Sequence, residues 1–392
     1  IHLSHSKFHG LIIASGIWRA VLMTSGGELP FNFETKEVNG RSEIFIKNGD
    51  EEIEVNEISY ANDSLIIQLP IYDSEFRVRV AGDSMNGYWY NNSRKNYAPT
   101  PFKAVLGESY RFINNAKSEM KLAEKWKWKF SPGTKDSSEA IAMFKQEGAD
   151  VKGTLLTESG DYRYLHGCLN NDSLFLSYFD GAFAYLFKAS VKNNTMQGVF
   201  YSGHHWQQPW QAVVDENAEL PDPFKLTFLK SDTTSFSFNA LRLDSTVFSY
   251  PRKELKGRVV VIEMMGTWCP NCMDETAFLS DYYSRNKDKD ITIIGLAFEK
   301  TSDFRKSVNN VKRVKDRYHV QYETLIAGNR EMAASKMNML SKINGYPTTI
   351  IIDRKGNVRK IYTGFNGPAT GSYHEKTKDD FIRIMDTLLS EK

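Results

Sequence analysis

Hydrophobic and polar positions follow one rhythm up to about residue 215 and another after about residue 235. In the first part, short runs rich in β-branched and aromatic residues recur: Ser42–Lys47, Leu65–Leu69, Phe76–Ala81, Gly153–Thr157 and Ala182–Ala189. Clusters such as Lys47-Asn48-Gly49-Asp50 and Val191-Lys192-Asn193-Asn194 separate them. Short strand-forming runs punctuated by Gly, Asn and Asp predict antiparallel strands joined by tight turns. In the second part the period lengthens. Val259–Met265 reads as a strand, Met273–Arg285 as a helix, Ile291–Phe298 as a strand and Asp303–Tyr318 as an amphipathic helix. Thr348–Asp353 and Val358–Tyr362 read as a hairpin around Arg354-Lys355-Gly356-Asn357, and Asp379–Leu389 as a closing helix. Alternating strands and helices predict an α/β sheet.

The β part repeats itself. Asn62-Asp63-Ser64-Leu65 returns as Asn171-Asp172-Ser173-Leu174, and Met85-Asn86-Gly87-Tyr88-Trp89-Tyr90 as Met196-Gln197-Gly198-Val199-Phe200-Tyr201. Phe102-Lys103-Ala104-Val105 returns as Trp210-Gln211-Ala212-Val213, and Trp18 as Trp126. Four ordered matches at a nearly constant offset indicate duplication. Two β-meanders, each opening on a Trp strand, predict a lipocalin-like barrel or a sandwich. The expected organisation is therefore multidomain. An all-β domain at 1–215 contains repeats at about 15–110 and 120–215. An acidic, Pro-containing linker at 216–233, expected to be exposed, leads to an α/β domain at 234–392. The repeat leaves open whether the copies form two units or one larger closed sheet.

Composition narrows the function classes. Of 392 residues, 41% are apolar and 25% charged, and the net charge is +2, so charge alone implies neither nucleic acid nor an acidic membrane surface. No window approaches the ~18 uninterrupted apolar residues of a transmembrane helix. The chain starts at Ile1 without a basic segment followed by an apolar one, which reads as a processed or trimmed protein whose export signal or lipid anchor would be invisible.

The three cysteines, Cys168, Cys269 and Cys272, do not make a disulfide scaffold. The pair sits in Gly266-Thr267-Trp268-Cys269-Pro270-Asn271-Cys272, between an apolar strand and a helix. A helix N-terminus offers unpaired N–H groups and partial positive charge to the first sulfur, which favours a thiolate there. Pro270 suits the first helical turn. Cys269 is thus expected to be the exposed nucleophile and Cys272 the buried resolving thiol. Zinc would need further ligands, and none stands near the pair; the nearest histidines are His205 and His319. No metal and no cofactor are expected.

Other tempting residues have plain readings beside the functional ones. His204-His205, near Trp206, Pro209 and Trp210, reads either as a metal or ligand site or as a polar loop at a barrel rim. The repeat aligns the two histidines with Arg94 and Lys95, which suits the rim. His2, His5 and His9 read as a mobile tail, and Cys168 as a small buried hydrophobe on a strand.

The second part resembles the thioredoxin superfamily, and more narrowly the TlpA/ResA-like thiol-disulfide reductases of bacteria. The resemblance rests on Trp268-Cys269-Pro270-Asn271-Cys272 after a hydrophobic strand. It rests equally on Gly345-Tyr346-Pro347-Thr348-Thr349 before the strand Ile350-Ile351-Ile352-Asp353. It covers about 234–392 and implies a thioredoxin fold, with Pro347 as the cis-proline beside the cysteines. It also implies proton-relaying roles for Glu263, six residues before Cys269, and for Glu275, three residues after Cys272. A carboxyl amid Val-Val-Val-Ile and Met-Met is costly without a role. Trp268, Pro270, Tyr346 and Pro347 become the expected substrate-binding residues, and the bulk of Tyr346 narrows what approaches.

The leading expectation is a thiol-disulfide oxidoreductase that reduces protein or small-molecule disulfides. The resemblance places it in the periplasm or cell envelope and implies a membrane-embedded electron donor. An alternative is a ligand- or protein-binding β module with a redox-sensitive thioredoxin-like appendage. A peroxiredoxin-type peroxidase is disfavoured, because its Pro-x-x-x-Thr-x-x-Cys run is absent.

Overall fold

Sheet pairing divides the chain into three sheets, of nine, nine and seven strands. The computed structural model describes residues 13–61, 63–94, 97–113, 120–231, 233 and 235–391. His2, His5, His9, Asn62 and Lys95 lie outside the described residues.

The first sheet runs through β1 (Gly16–Thr24), β2 (Gly27–Val38), β3 (Arg41–Asn48), β4 (Glu51–Val55), β5 (Glu57–Ala61), β6 (Ser64–Gln68), β7 (Ser74–Ala81), β8 (Ser84–Asn91) and β9 (Thr100–Leu106). β1 pairs with both β2 and β9, while β4 and β5 are separated only by Asn56 and pair with β3 and β6 respectively. One bent strand thus closes the ring, and a closed sheet leaves no edge to aggregate.

The second sheet repeats this with β10 (Lys125–Phe130), β11 (Ser138–Glu147), β12 (Asp150–Thr157), β13 (Gly160–Asp161), β14 (Leu165–Asn170), β15 (Ser173–Phe179), β16 (Ala184–Lys192), β17 (Thr195–Ser202) and β18 (Trp206–Val214). Here β12 closes the ring, pairing with β11 on one side and β14 on the other. The duplication read from the sequence is therefore two barrels. Trp18 and Trp126 both lie on opening strands, fully buried.

The barrel interiors are filled by side chains rather than hollow. Trp128 stacks on Trp210 with ring centroids 3.6 Å apart, and Phe187 on Phe200 at 4.5 Å. The first barrel keeps a cavity of about 20 Å³ among Phe31, Phe76, Phe102 and their neighbours. Small-molecule sites run to hundreds of Å³. The two barrels share apolar core: Phe179 of β15 lies 4.6 Å from Phe31 and 5.3 Å from Trp89, ring to ring. The Asn48 amide donates to Phe179 O at 2.8 Å, and the Arg111 guanidinium donates to Ser177 O at 3.0 Å.

The third sheet holds β19 (Phe238–Leu241), β20 (Val247–Tyr250), β21 (Val259–Met265), β22 (Ile291–Glu299), β23 (Glu323–Asn329), β24 (Thr348–Ile352) and β25 (Val358–Thr363). Their order is β20-β19-β23-β22-β21-β24-β25. The helices are α1 (Pro270–Asn286), α2 (Phe304–Arg317), the short α3 (Ala333–Lys336) and α4 (Ser372–Ser390). This is a thioredoxin fold with an N-terminal hairpin added. β21 is buried at every position, as a central strand covered on both faces requires. Its alternation sends Val259, Val261 and Met265 toward the helices, and Val260, Ile262 and Met264 toward the opposite core.

One expectation needs correction, and two features went unread. The hairpin β19–β20 and strand β23 do not stand out in the sequence, because their apolar runs are short and interrupted. The stretch 216–233, expected to be exposed, is partly embedded. Ala218 and Thr227 are buried, Thr227 Oγ1 bonds Thr363 Oγ1 at 2.9 Å, and Leu229 bridges to Leu340. Its apolar residues find a ready surface along β25 and the loop before β24.

Phe179→Ala removes the ring that joins the two barrel cores. We expect a loss of about 3–5 kcal/mol, read as a lower denaturation midpoint in urea, with the slope unchanged if both barrels still unfold together.

Candidate active site

The strand-to-helix junction after β21 is built by tight local packing. A side chain at Gly266 would strike the Trp268 indole, which folds back to donate from Nε1 to Phe298 O at 2.9 Å. The Thr267 N–H and hydroxyl both donate to the buried Glu299 carboxylate, at 2.9 and 2.7 Å. Cys269 then caps α1: its sulfur accepts from the Cys272 N–H at 3.3 Å, and Pro270 occupies the first turn. The Cys269 thiol also reaches Tyr346 O at 3.5 Å, so the residue before Pro347 lies directly against it. The Tyr346–Pro347 peptide is cis, and Pro347 O accepts from the Gly364 N–H at 2.8 Å. Both cysteines are free thiols. Cys272 is fully buried, and burial together with the neighbouring Cys269 pushes its pKa well above the ordinary thiol range.

Two buried carboxyls lie behind the pair. Glu263 accepts from the Thr276 hydroxyl at 2.7 Å and from the Tyr322 hydroxyl at 3.2 Å. Glu275 accepts from Tyr362 at 2.6 Å and from Thr349 at 2.8 Å. Burial pushes Glu275 up to about 7 and, reinforced by the charge of Glu275, raises Glu263 well above the carboxylic range. Of the two, Glu263 is the one whose charge is felt at Cys272. A cavity of about 10 Å³ adjoins Glu263 between Thr276, Val311 and Tyr322, room for roughly one water.

The barrels come down onto this site, which the sequence did not indicate. Ile71, between β6 and β7, packs into the same apolar cluster as Cys269, Cys272 and Trp268. The hairpin tip Glu158–Ser159, between β12 and β13, lies across the α1 terminus: the Asn271 amide donates to Ser159 O at 3.4 Å and its carbonyl accepts from the Asp161 N–H at 3.3 Å. The loops flanking Pro347 and following β25 are pared to glycine to admit it. A Cβ on Gly345 would lie 2.8 Å from Ser159, and one on Gly364 would lie 2.4 Å from Glu158 O.

Charge holds the hairpin down. Arg163 pairs with Asp274 of α1 and, at 2.8 Å, with Glu51 of the first barrel, while the Asp161 carboxylate accepts from the Gly367 N–H at 2.8 Å. Burial, with the repulsion of Asp161 and Glu51, outweighs Arg163 at Asp274 and pushes that carboxyl up to about 7. Cys269, expected to be exposed, is therefore only 6% exposed. The cause is tertiary: segments hundreds of ångströms of chain contour away cover it.

The remaining sequence candidates separate cleanly. Cys168 is buried on β14, in a different sheet from the pair, and burial pushes it up to about 11. His204 and His205 lie in the loop between β17 and β18, beside Tyr97 of the first barrel. Among the described residues no three His, Cys, Asp or Glu side chains gather as a metal site. Sequence reasoning missed Ile71, Ser159, Asp161, Arg163 and Asp274, all of which act through contacts between distant segments.

Comparison with known proteins bears on the third sheet and its helices. The Redoxin family matches residues 230–376. Thioredoxin-like protein YneN of Bacillus subtilis (strain 168) is 24% identical over 169 residues, 42% of this chain and 84% of the relative. Thiol-disulfide oxidoreductase ResA of Bacillus thuringiensis (strain Al Hakam) is 26% identical over 106 residues, which span 27% of this chain and 55% of ResA. Among solved structures, a thiol:disulfide interchange protein of Chlorobium tepidum TLS is 25% identical, covering 40% of this chain and 95% of its own, with a TM-score of 0.31.

Arg163→Gln leaves the Glu51 and Asp274 carboxylates without their cation. We expect the hairpin to detach more often, so that iodoacetamide modifies Cys269 roughly tenfold faster or more; an unchanged rate would mean that the hairpin does not control access. Glu275 gives a pH signature. Its carboxyl binds a proton more tightly folded than unfolded, so its contribution to stability is full below about 4.5 and is lost as pH rises toward about 7. Urea midpoints of Glu275→Gln should vary less across that window than those of the parent chain.

Proposed function

We propose that this chain, whose C-terminal part is a TlpA/ResA-like member of the thioredoxin superfamily, is a thiol-disulfide oxidoreductase working through the Cys269-Pro270-Asn271-Cys272 dithiol. The observation that carries this reading is the cysteine pair at a helix N-terminus, with Tyr346 O against one sulfur and two buried carboxyls behind the other.

In the reductive direction the Cys269 thiolate, held by the Cys272 N–H, attacks one sulfur of a substrate disulfide. A Cys269–substrate disulfide forms, and the other substrate sulfur leaves as a thiolate that takes a proton. Cys272 is buried and holds its proton tightly, so it needs a base within the protein. Glu263 serves as that base, with Glu275 behind it tuning its charge through their mutual repulsion. The Cys272 thiolate then attacks Cys269 Sγ and expels the second substrate thiol. Two electrons have passed to the substrate, and the protein is left with a Cys269–Cys272 disulfide. An external dithiol donor restores it, and the family resemblance implies one embedded in a membrane.

Trp268, Pro270, Tyr346 and Pro347 line the substrate's path: Trp268 meets Tyr346 edge-on, ring centroids 5.5 Å apart. The cover of Ile71 and the β12–β13 hairpin means that a substrate reaches the sulfurs either by being slender or by displacing barrel segments. We place the activity outside the cytoplasm, in the cell envelope, where disulfides persist and need management.

Three variants test the reading. Cys272→Ser should accumulate a mixed disulfide with a peptide disulfide substrate, and Cys269→Ser should accumulate none. Glu263→Gln should fold normally yet resolve the mixed disulfide about a hundredfold more slowly. Its pH–rate profile should also lose an ionisation. Trapping at Cys272 instead of Cys269 would reverse the assignment of the two sulfurs.

A further inference from the structure

Two loops at equivalent places in the barrels meet each other. Tyr97, which precedes β9, packs its ring on His204 and His205, which precede β18, with centroids 6.4 and 5.9 Å apart. Its hydroxyl accepts from the His204 N–H at 3.2 Å. The Arg94 guanidinium lies 6.0 Å from the Tyr97 ring. On the thioredoxin side, Lys300 at the end of β22 and Arg330 after β23 both sit on the Trp268 ring, at 5.2 and 5.1 Å from its centroid. Lys300, Arg330 and both histidines face solvent, and Arg94 is half-buried.

These cations are only partly compensated: the Glu299 charge acts on Lys300 against those of Arg94 and Arg330. Among the described residues, no carboxylate comes within ion-pair distance of Arg94, Lys300 or Arg330, although ion pairs are common elsewhere on this surface. Of the two carboxylates adjacent in sequence, Glu299 is turned inward, where it accepts from Thr267 and Asn310, and Glu331 is exposed and makes no ion pair with Arg330 among the described residues. The strain registers on the groups themselves. Although part of its side chain still meets solvent, desolvation of the ammonium and the charges of Arg94 and Arg330 bring Lys300 down to about 8. Burial with Arg94 and Lys300 brings His205 down to about 4, so it stays neutral at physiological pH. Lys300 is also near enough for the Cys269 charge to act on it.

The position of this group matters because the other approaches are occupied. Ile71 covers one side of the pair, the Ser159 hairpin covers the Asn271 side, and Tyr346 backs Cys269. Trp268, with its two cations, borders what remains. Unpaired cations at the mouth of a partly desolvated site attract anions strongly and hold them by charge-assisted hydrogen bonds.

We propose that Lys300 and Arg330, side by side on the Trp268 ring, form an anion subsite of the dithiol centre, which binds carboxylates carried near the S–S bond and so selects acidic disulfides over neutral and basic ones. The inference rests on the oxidoreductase reading and names the substrate class of the same site. The electron transfer is unchanged: the subsite positions the substrate through Trp268, and both electrons still come from the Cys269–Cys272 dithiol.

The test uses the full reduced chain and three small disulfides: glutathione disulfide (anionic), hydroxyethyl disulfide (neutral) and cystamine (cationic). Each kcat/KM is divided by the rate of the same disulfide with free dithiothreitol, which removes intrinsic reactivity. We expect the normalised values to fall in the order anionic, neutral, cationic, with roughly tenfold or more between the extremes. That spread should shrink between 0.05 and 0.5 M salt, roughly where the screening length falls from over 10 Å to about 4 Å. In Lys300→Gln/Arg330→Gln the anionic-to-neutral ratio should drop to about one. Equal normalised values in the parent chain, or a ratio that survives in the double variant, overturns the subsite. So does a double variant in which both rates fall in step, because the two cations would then act on the dithiol itself. Failure to reduce any of the three would count against the oxidoreductase reading instead.

Discussion

Arg163 joins three parts of the molecule that the chain order keeps apart. Its guanidinium pairs with Glu51 on the first barrel and Asp274 on the dithiol helix, and it projects from the second barrel's own hairpin beside Asp161. A half-buried guanidinium between two carboxylates has no neutral alternative, since it does not give up its proton in proteins. Removing it leaves buried charge uncompensated, which costs more than the pair ever gained. That cation, with Ile71 and the Asn271 and Gly367 contacts of the hairpin, holds the barrels over Cys269.

Duplication supplies the means for this cover, and divergence puts it to use. Both barrels close on eight strand positions, with stacked aromatics filling the interior, and Phe179 stitches their cores together. The copies then contribute different things to the site. The first gives Ile71 and Arg94; the second gives the Ser159 hairpin, Arg163 and the His204-His205 loop. A rigid pair of barrels is a suitable base for this, because packed cores move as units rather than deforming continuously.

Burial also sets the chemistry. A thiol and two carboxyls share a space from which water is largely excluded, so each group's charge is expensive and each feels the others strongly. Hydroxyl donors from Thr276, Tyr322, Thr349 and Tyr362 offset part of what burial costs these carboxylates. The cations at Trp268 stand at the edge of the same dry region, where one face still meets solvent.

Local pattern alone was enough to identify much of this. The apolar run Val259–Met265, the Pro in the first turn of α1, and Gly-Tyr-Pro-Thr-Thr before a β-branched strand each specify short-range structure, so strand, helix and the loop at Pro347 were all legible. The offset repeat exposed the duplication for the same reason, since each copy's strands and turns are encoded within a few residues. Glu263 stood out because a carboxyl in a continuous apolar strand is costly unless it has partners. What the chain could not disclose was which surfaces would meet. Nothing near Arg163 in sequence points to Asp274, and nothing near Ile71 points to Cys269. Whether the copies closed separately, whether residues 216–233 lay exposed, and whether Cys269 faced water were decided by contacts between segments a hundred or more residues apart. Such contacts depend on shape and charge brought together only by the finished fold, and no periodicity along the chain records them.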